Sequence, residues 1–285
     1  MSATGRIRIG IAAPSNRISP SLPENLAAAA ARLCPDRLPE IWFHPQCFAS
    51  CGHFAGTDAD RAKAFLDIAN DDRFDALWFG RGGYGAFRLI ETVLPRLRAE
   101  AGRKLYLGYS DAGAMLGALY GAGIGRIAHG PMPADLNRRG GEAAIGRALA
   151  FLTEQDKAAL DPSMSPGIPH AAFNITILSH LIGTPYLPDL TGHILMLEDV
   201  SEPMYRIDRA LGQIVSTSSI RRVAGIRLGR CGDIPDNDPD FGQSEEDVVR
   251  YWCDRSGIPY LGRADIGHDI ENKVVPFGSW ISDRS

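Results

Sequence analysis

Two short apolar runs, FDALWF at 74–79 and KLYL at 104–107, each end in a glycine corner and pass directly into a helical pattern. Continuous apolar runs of this length fit strands buried on both faces, the condition of a parallel sheet. The same unit recurs along the first half of the chain. RIRIGIA (6–12) reads as a strand and PENLAAAAARL (23–33) as a helix with Pro23 in its first turn. IWF (41–43) reads as a short strand. GTDADRAKAFLDIAND reads as a helix capped by Thr57 or Asp58, with Ala62, Phe65, Leu66 and Ala69 on one face. GRGGYG (80–85) is a glycine-rich loop leading into a helix through Phe87 and Leu89. A helix follows Asp111, and RIA (126–128) is a further strand. Strands alternating with helices define an α/β fold on a parallel sheet covered on both faces.

The pattern changes at 134–170, where one helical stretch is followed by the proline-rich DPSMSPGIPH. This segment reads as a connection between an N-terminal α/β domain (1–133) and a C-terminal one (171–285). The second half predicts a helix after Asn174 closed by Gly183, a strand at 193–200 and a helix through Ile207, Leu211 and Ile214. VAGIRLG predicts a strand. SEEDVVRYWCDRSG predicts a helix with Ser244 as cap, Asp247 at the third position and Gly257 as stop.

Bulk properties exclude several classes. The 285 residues are 45% hydrophobic and 22% charged, enough to bury a real core. A net charge of -4 without a basic tract argues against nucleic acid and anionic membranes as partners. No apolar run approaches the roughly 20 residues of a membrane helix. Arg6 and Arg8 interrupt the N-terminal apolar stretch, which reads as a first strand and not a signal peptide. Five scattered cysteines do not form a disulfide framework, so a reducing cytoplasm is expected.

The corner GYSD (108–111) raises the chemical question. At the carboxyl end of a parallel strand, a tight turn lifts one side chain above the sheet. The helix that starts there aims backbone N–H groups and its positive dipole end at the same spot. A serine so placed can attack a carbonyl while the N–H of Asp111 holds the oxyanion. GYSDAG departs from G-x-S-x-G at Ala112. Taken alone, the stretch favours the plainer reading of Ser110 as a helix N-cap. A serine nucleophile needs a base, and the base needs an orienting carboxylate. His268, in Gly267-His268-Asp269, and Glu198, closing the run HILML, suit those roles. Asp199, Asp269 and His129 are the competing candidates, and each histidine also reads as a core residue satisfied by a backbone carbonyl. In the loop 80–85, an N–H of Gly82 or Gly83 can complete an oxyanion hole with Asp111. The loop fits neither nucleotide-binding glycine pattern. HPQCFASCGH sets His44, Cys47, Cys51 and His53 within ten residues, half of a zinc site by spacing. Its place between two α/β units, and the tendency of free cysteines to pack as small hydrophobes, weigh against metal.

Longer stretches carry a resemblance. IAAPS (11–15), AGTDADRA (55–62), GRGGYGAFRLI (80–90), GYSD and HGPM (129–132) are similar to segments of the LD-carboxypeptidase family of serine peptidases. So are IGTPYLPDLTGHILMLEDVSEPMYRIDRALGQI (182–214) and GHDIENKVVPFG (267–278), and the likeness runs nearly end to end. It implies Ser110 as nucleophile, Glu198 as orienting acid and His268 as base, with Gly82 or Gly83 and Asp111 around the oxyanion. It implies a flavodoxin-like N-terminal domain, a smaller mixed α/β C-terminal domain and a site between them. It further implies a homodimer, no metal or other cofactor, and a muropeptide substrate cleaved between an L-centre and a C-terminal D-amino acid. Arg81, Tyr84 and Asn174 are the candidate substrate-binding residues, a solvent-facing role being the alternative for Arg81. The sequence departs from the family at Phe173, where a glycine is usual, and at Trp78-Phe79, where small residues are usual; both changes are expected to touch the substrate more than the triad. The alternatives are a hydrolase of peptidyl- or aminoacyl-nucleotides, like the microcin-immunity branch, and a non-catalytic binder of cell-wall peptides.

Overall fold

Strands β3 (Ala76–Phe79) and β4 (Leu105–Gly108) are buried along their whole length and lie side by side, parallel, at the centre of a six-stranded sheet. The computed structural model describes residues 6–279. Outward from this pair run β1 (Arg8–Ala12) and β2 (Glu40–Phe43) on one side, and β5 (Arg126–His129) on the other, all parallel. Period-two alternation divides the side chains between two layers. Ala76, Trp78, Leu105 and Leu107 pack with α1 (Leu22–Leu33) and α5 (Gly141–Glu154). Leu77, Phe79 and Tyr106 pack with α2 (Asp58–Ala69) and α4 (Ala112–Gly121). Thr57 caps α2 in a capping box with Asp60, which decides between the two expected caps. The expected helix through Phe87 and Leu89 is a 3₁₀ turn running into the four-residue α3 (Ile90–Val93), because Pro95 lacks the N–H that would extend it.

The second sheet is wholly parallel, in the order β6 (His170–Asn174), β7 (Ile194–Val200), β8 (Gly225–Gly232) and β9 (Tyr260–Arg263). It is covered by α6 (Ile175–Leu181), α7 (Met204–Ser216) and α8 (Glu245–Ser256). Ser244 and Asp247 form the capping box of α8, and Gly257 ends it at φ 73°. Sequence patterning does not reveal β6: His-Ala-Ala-Phe-Asn has no alternation and follows a proline-rich turn.

Two features join the halves. Helix α4 is buried on nearly all sides, which explains its run of alanine and glycine: a Cβ on Gly117 would stand 3.0 Å from Leu181 and 3.1 Å from Phe173. Phe173 therefore packs between the two sheets, against α4 and 5.1 Å from the Phe277 ring, and not in a substrate pocket as its exchange for glycine suggested. Trp78 and Phe79 are likewise core residues, the Trp78 indole N–H donating to the Pro131 carbonyl at 2.8 Å. The second feature is β10 (Val275–Pro276), which leaves the second sheet and pairs antiparallel with β5 at the edge of the first. The loop before it is strung between the two sheets. The 134–170 segment contributes α5, whose Ile145, Ala148 and Leu149 share a core with Leu26 and Ala30 of α1.

Candidate active site

The loops at the carboxyl ends of β1, β3 and β4 converge, as expected for a site in an open parallel sheet. Ser110 follows β4 with φ 59°, a left-handed conformation that costs a non-glycine residue on the order of 1–3 kcal/mol. That strain lifts the side chain off the strand at the start of α4. Gly82 faces it closely: a Cβ there would come within 2.9 Å of Ser110 Oγ. Only glycine lets the 80–85 loop approach the hydroxyl this way.

Asp111 ties the converging loops together. Its buried carboxylate accepts from Ser15 Oγ at 2.5 Å and from the Ala86 N–H at 2.9 Å. Burial pushes its pKa up, and these hydrogen bonds hold part of that rise back. The Asn16 N–H donates to the Gly82 carbonyl at 3.4 Å. In a trans peptide the carbonyl and the next N–H point in opposite directions, so the Gly83 N–H faces away from Asn16. Gly83, at φ 117°, has no room for a side chain, since its Cβ would meet Asn16 at 2.4 Å.

The loop between β9 and β10 brings His268 to the same place. His268 Nδ1–H donates to Glu198 Oε2 at 2.5 Å, with Glu198 fully buried and the imidazole 8% exposed. Glu198 sits where the β7–β8 register slips between Leu197 and Asp199, a bulge that re-aims its side chain. Gly229 opposite it must be glycine, because a Cβ would press to 2.9 Å on Glu198 and 2.7 Å on the Ile266 carbonyl. Burial works against the charged imidazole, but the Glu198 carboxylate and its hydrogen bond outweigh it and raise the His268 pKa. His268 Nε2 is buried without a partner among the described residues.

The competing candidates are occupied elsewhere. Asp199 accepts from Asn174 Nδ2 (2.8 Å), from the Thr176 N–H and hydroxyl (3.0 Å each) and from the Val200 N–H (2.8 Å). Asp269 pairs with Arg230. His129 is buried and bonded to Asn272 Oδ1 at 3.1 Å; that same oxygen accepts the Gly267 N–H at 3.2 Å, which explains the asparagine four residues after His268.

Ser110 and His268 line one cavity of about 350 Å³ together with Arg81, Gly82, Gly83, Tyr109, Met132, Asp135 and Arg138. Of the expected substrate-binding residues, only Arg81 lines it. Tyr84 is exposed and packs toward Phe54 and His53 outside the cavity. Asn174 is the N-cap of α6, accepting the Ile177 N–H at 3.1 Å. Sequence reasoning missed Tyr109, Asp135 and Arg138. A wider polar trough of about 810 Å³, lined by Asp67, Asp71, Asp72, Arg96, Arg98 and Glu100, contains none of these groups.

No set of three or more histidine, cysteine, aspartate or glutamate side chains among the described residues is grouped to hold a metal. In the His44–His53 stretch, the Cys47 thiol is buried against the Ile11 carbonyl at 3.3 Å, with burial pushing its pKa up to about 12. His44 contacts Asp67 at 3.2 Å, and Cys51 is exposed.

A strained serine facing a glycine loop, beside an imidazole held by a buried carboxylate, is the equipment of a serine hydrolase. The N-terminal and C-terminal domain descriptions of the LD-carboxypeptidase family match residues 9–130 and 171–282. The chain belongs to that family. A Synechocystis protein is 33% identical over 234 residues, covering 80% of this chain and 76% of that one. The murein tetrapeptide carboxypeptidase of Pseudomonas aeruginosa is 28% identical over 248 residues, covering 79% and 78%. The crystal structure of muramoyltetrapeptide carboxypeptidase from Oxalobacter formigenes superposes with a TM-score of 0.76 at 25% identity, covering 94% and 93%. The microcin C7 self-immunity protein in complex with aspartyl sulfamoyl adenosine shares the fold, with a TM-score of 0.77 at 17% identity, covering 95% and 91%. Among the described residues no helix is long and apolar enough to cross a membrane.

Proposed function

We propose that this chain is a serine carboxypeptidase that cleaves the amide bond between an L-centre and a C-terminal D-amino acid, with a murein tetrapeptide as substrate and D-alanine as product. The observation that carries the reading is the Glu198–His268 pair opening on the cavity that Ser110 lines. Ser110 Oγ adds to the carbonyl carbon as its proton passes to His268 Nε2. The C–N bond then breaks, and Nε2 protonates the leaving amine. Water attacks the resulting ester with its proton taken by Nε2, the ester C–O bond breaks, and Ser110 regains its proton. The N–H groups of Asp111 and of Gly82 or Gly83 stabilise the tetrahedral oxyanion.

A carboxypeptidase must also bind a terminal carboxylate. Arg138 is already bonded to Asp135 and to the His268 carbonyl, whereas among the described residues Arg81 is held by a 3.4 Å contact to the Arg17 carbonyl. Arg81 is therefore the carboxylate anchor. Arg81→Ala should lower kcat/KM roughly 10–100-fold, chiefly through KM, as loss of one charge-assisted hydrogen bond does. Steady-state kinetics on peptides with free and amidated C-termini checks this: the variant should lose the preference for the free acid.

The cavity suits a peptide better than a nucleotide base, since Tyr109 is already packed on His268 at 4.8 Å. The deciding experiment measures D-alanine released from a UDP-muramoyl tetrapeptide, beside hydrolysis of an aminoacyl sulfamoyl adenosine. Cleavage of the tetrapeptide supports the reading. Cleavage of the nucleotide conjugate alone moves the chain to the other substrate class, and neither reaction leaves a binding protein.

A further inference from the structure

We propose that Arg138, held by Asp135, is a positioning residue that fixes the His268 corner so that its ring nitrogen is aimed at Ser110. This rests on reading His268 as the base. Arg138 follows the 3₁₀ turn Pro133–Asn137, in the segment that sequence patterning marked as a mere connection. Its Nη1 donates to the His268 carbonyl, and its Nε lies 3.1 Å from Asp135 Oδ1. The buried Asp135 carboxylate accepts in addition from the Tyr109 hydroxyl and the Met132 N–H, each at 2.8 Å. The Tyr109 ring, one residue before Ser110, lies against the imidazole at a tilt of 56°, with centroids 4.8 Å apart. Arg138 thus grips the His268 main chain while its partner Asp135 holds the ring that packs on the His268 side chain. The chain segment carrying the serine and the loop carrying the histidine meet in one network.

The rest of the loop is held separately. Arg147 donates to the Ile270 and Asn272 carbonyls, and Arg230 binds Asp265 and Asp269. Losing Arg138 therefore leaves the loop folded and frees only the corner that bears the imidazole. Arg138 is 43% exposed, and the buried Asp135 keeps its Tyr109 and Met132 hydrogen bonds without it, so the fold survives the loss of Arg138 while the aim of the imidazole does not. A displacement of about 1 Å in a catalytic group costs about 100-fold in rate.

The test uses the full chain as Arg138→Met and Arg138→Lys, with two readouts that need no natural substrate. Ring ¹⁵N shifts of His268, read through its carbon-bound protons and assigned with His268→Gln, report whether one tautomer is held. The rate at which a fluorophosphonate labels Ser110 reports how well the base is aimed. Wild type should show a single Nδ1–H tautomer at a pH high enough to leave the imidazole neutral. Arg138→Met should show averaged tautomers and about 100-fold slower labelling in a chain that still unfolds cooperatively, at a midpoint lowered modestly by the loss of the Asp135 ion partner, and Arg138→Lys should recover most of both. An unchanged tautomer and labelling rate in Arg138→Met, or a tautomer already averaged in wild type, would overturn the proposal. A wild type that resists the fluorophosphonate would sink the serine-hydrolase reading instead, and the tautomer would then decide the positioning role alone.

Discussion

Alanine in place of Ser110 is expected to lower D-alanine release on the order of 10⁶-fold while leaving the fold intact. The size follows from the interdependence of nucleophile and base: either is inert without the other, so losing one costs as much as losing both. Thermal unfolding of the same variant is the control. Alanine suffers the same strain as serine at φ 59°, so the midpoint should stay close to wild type. Ser110→Gly, free of that strain, should be equally inactive and slightly more stable. Release by Ser110→Ala at the wild-type rate would remove the serine from the mechanism.

Glu198→Gln should cost about 10⁴-fold in kcat at neutral pH, because an amide at this position no longer fixes the Nδ1–H tautomer. It should also move the pH profile in a defined direction. Glu198 is what raises the His268 pKa above its ordinary 6.5 against the opposing effect of burial. Native kcat/KM therefore climbs with pH through a limb displaced upward from that value, as the imidazole loses its proton and becomes a base. Without the carboxylate, burial is opposed only by the weaker effect of the Asp199 charge, and the limb shifts to lower pH, even as the maximum falls. Asp199 cannot take over. Its oxygens are engaged by Asn174, Thr176 and Val200, and its own pKa, raised to about 6 by burial and then by Glu198, should drop when that neighbour is neutral. Profiles of kcat/KM against pH for both proteins check this, and an acid limb that stayed in place would assign it to another group.

What could be read in advance was what is local in the chain. The runs that became β3 and β4, the glycine loop between them, a cap at Thr57 or Asp58 and the capping box at Ser244 each depend on neighbours within a few residues. The partner of His268 was readable as the acid closing an apolar strand. Asp135 and Arg138 were not, since nothing near them in sequence distinguishes a solvated pair from one that reaches across to Tyr109 and His268. Asn174 and Tyr84 lie outside the cavity lining for the complementary reason. An asparagine before a helix and a tyrosine in a glycine loop look like contacts to a ligand, but one caps α6 and the other is exposed beside Phe54. Phe173 shows a third limit: its effect depends on α4 of the opposite half.

The return of β10 to the edge of the first sheet has a consequence in time as well as in space. A chain emerging from the ribosome presents its serine corner early. The imidazole finds its carboxylate partner only once β7 of the second sheet and the loop leading to β10 have been made. Until then the proposed nucleophile is an ordinary alcohol, so the cell meets no half-built hydrolase.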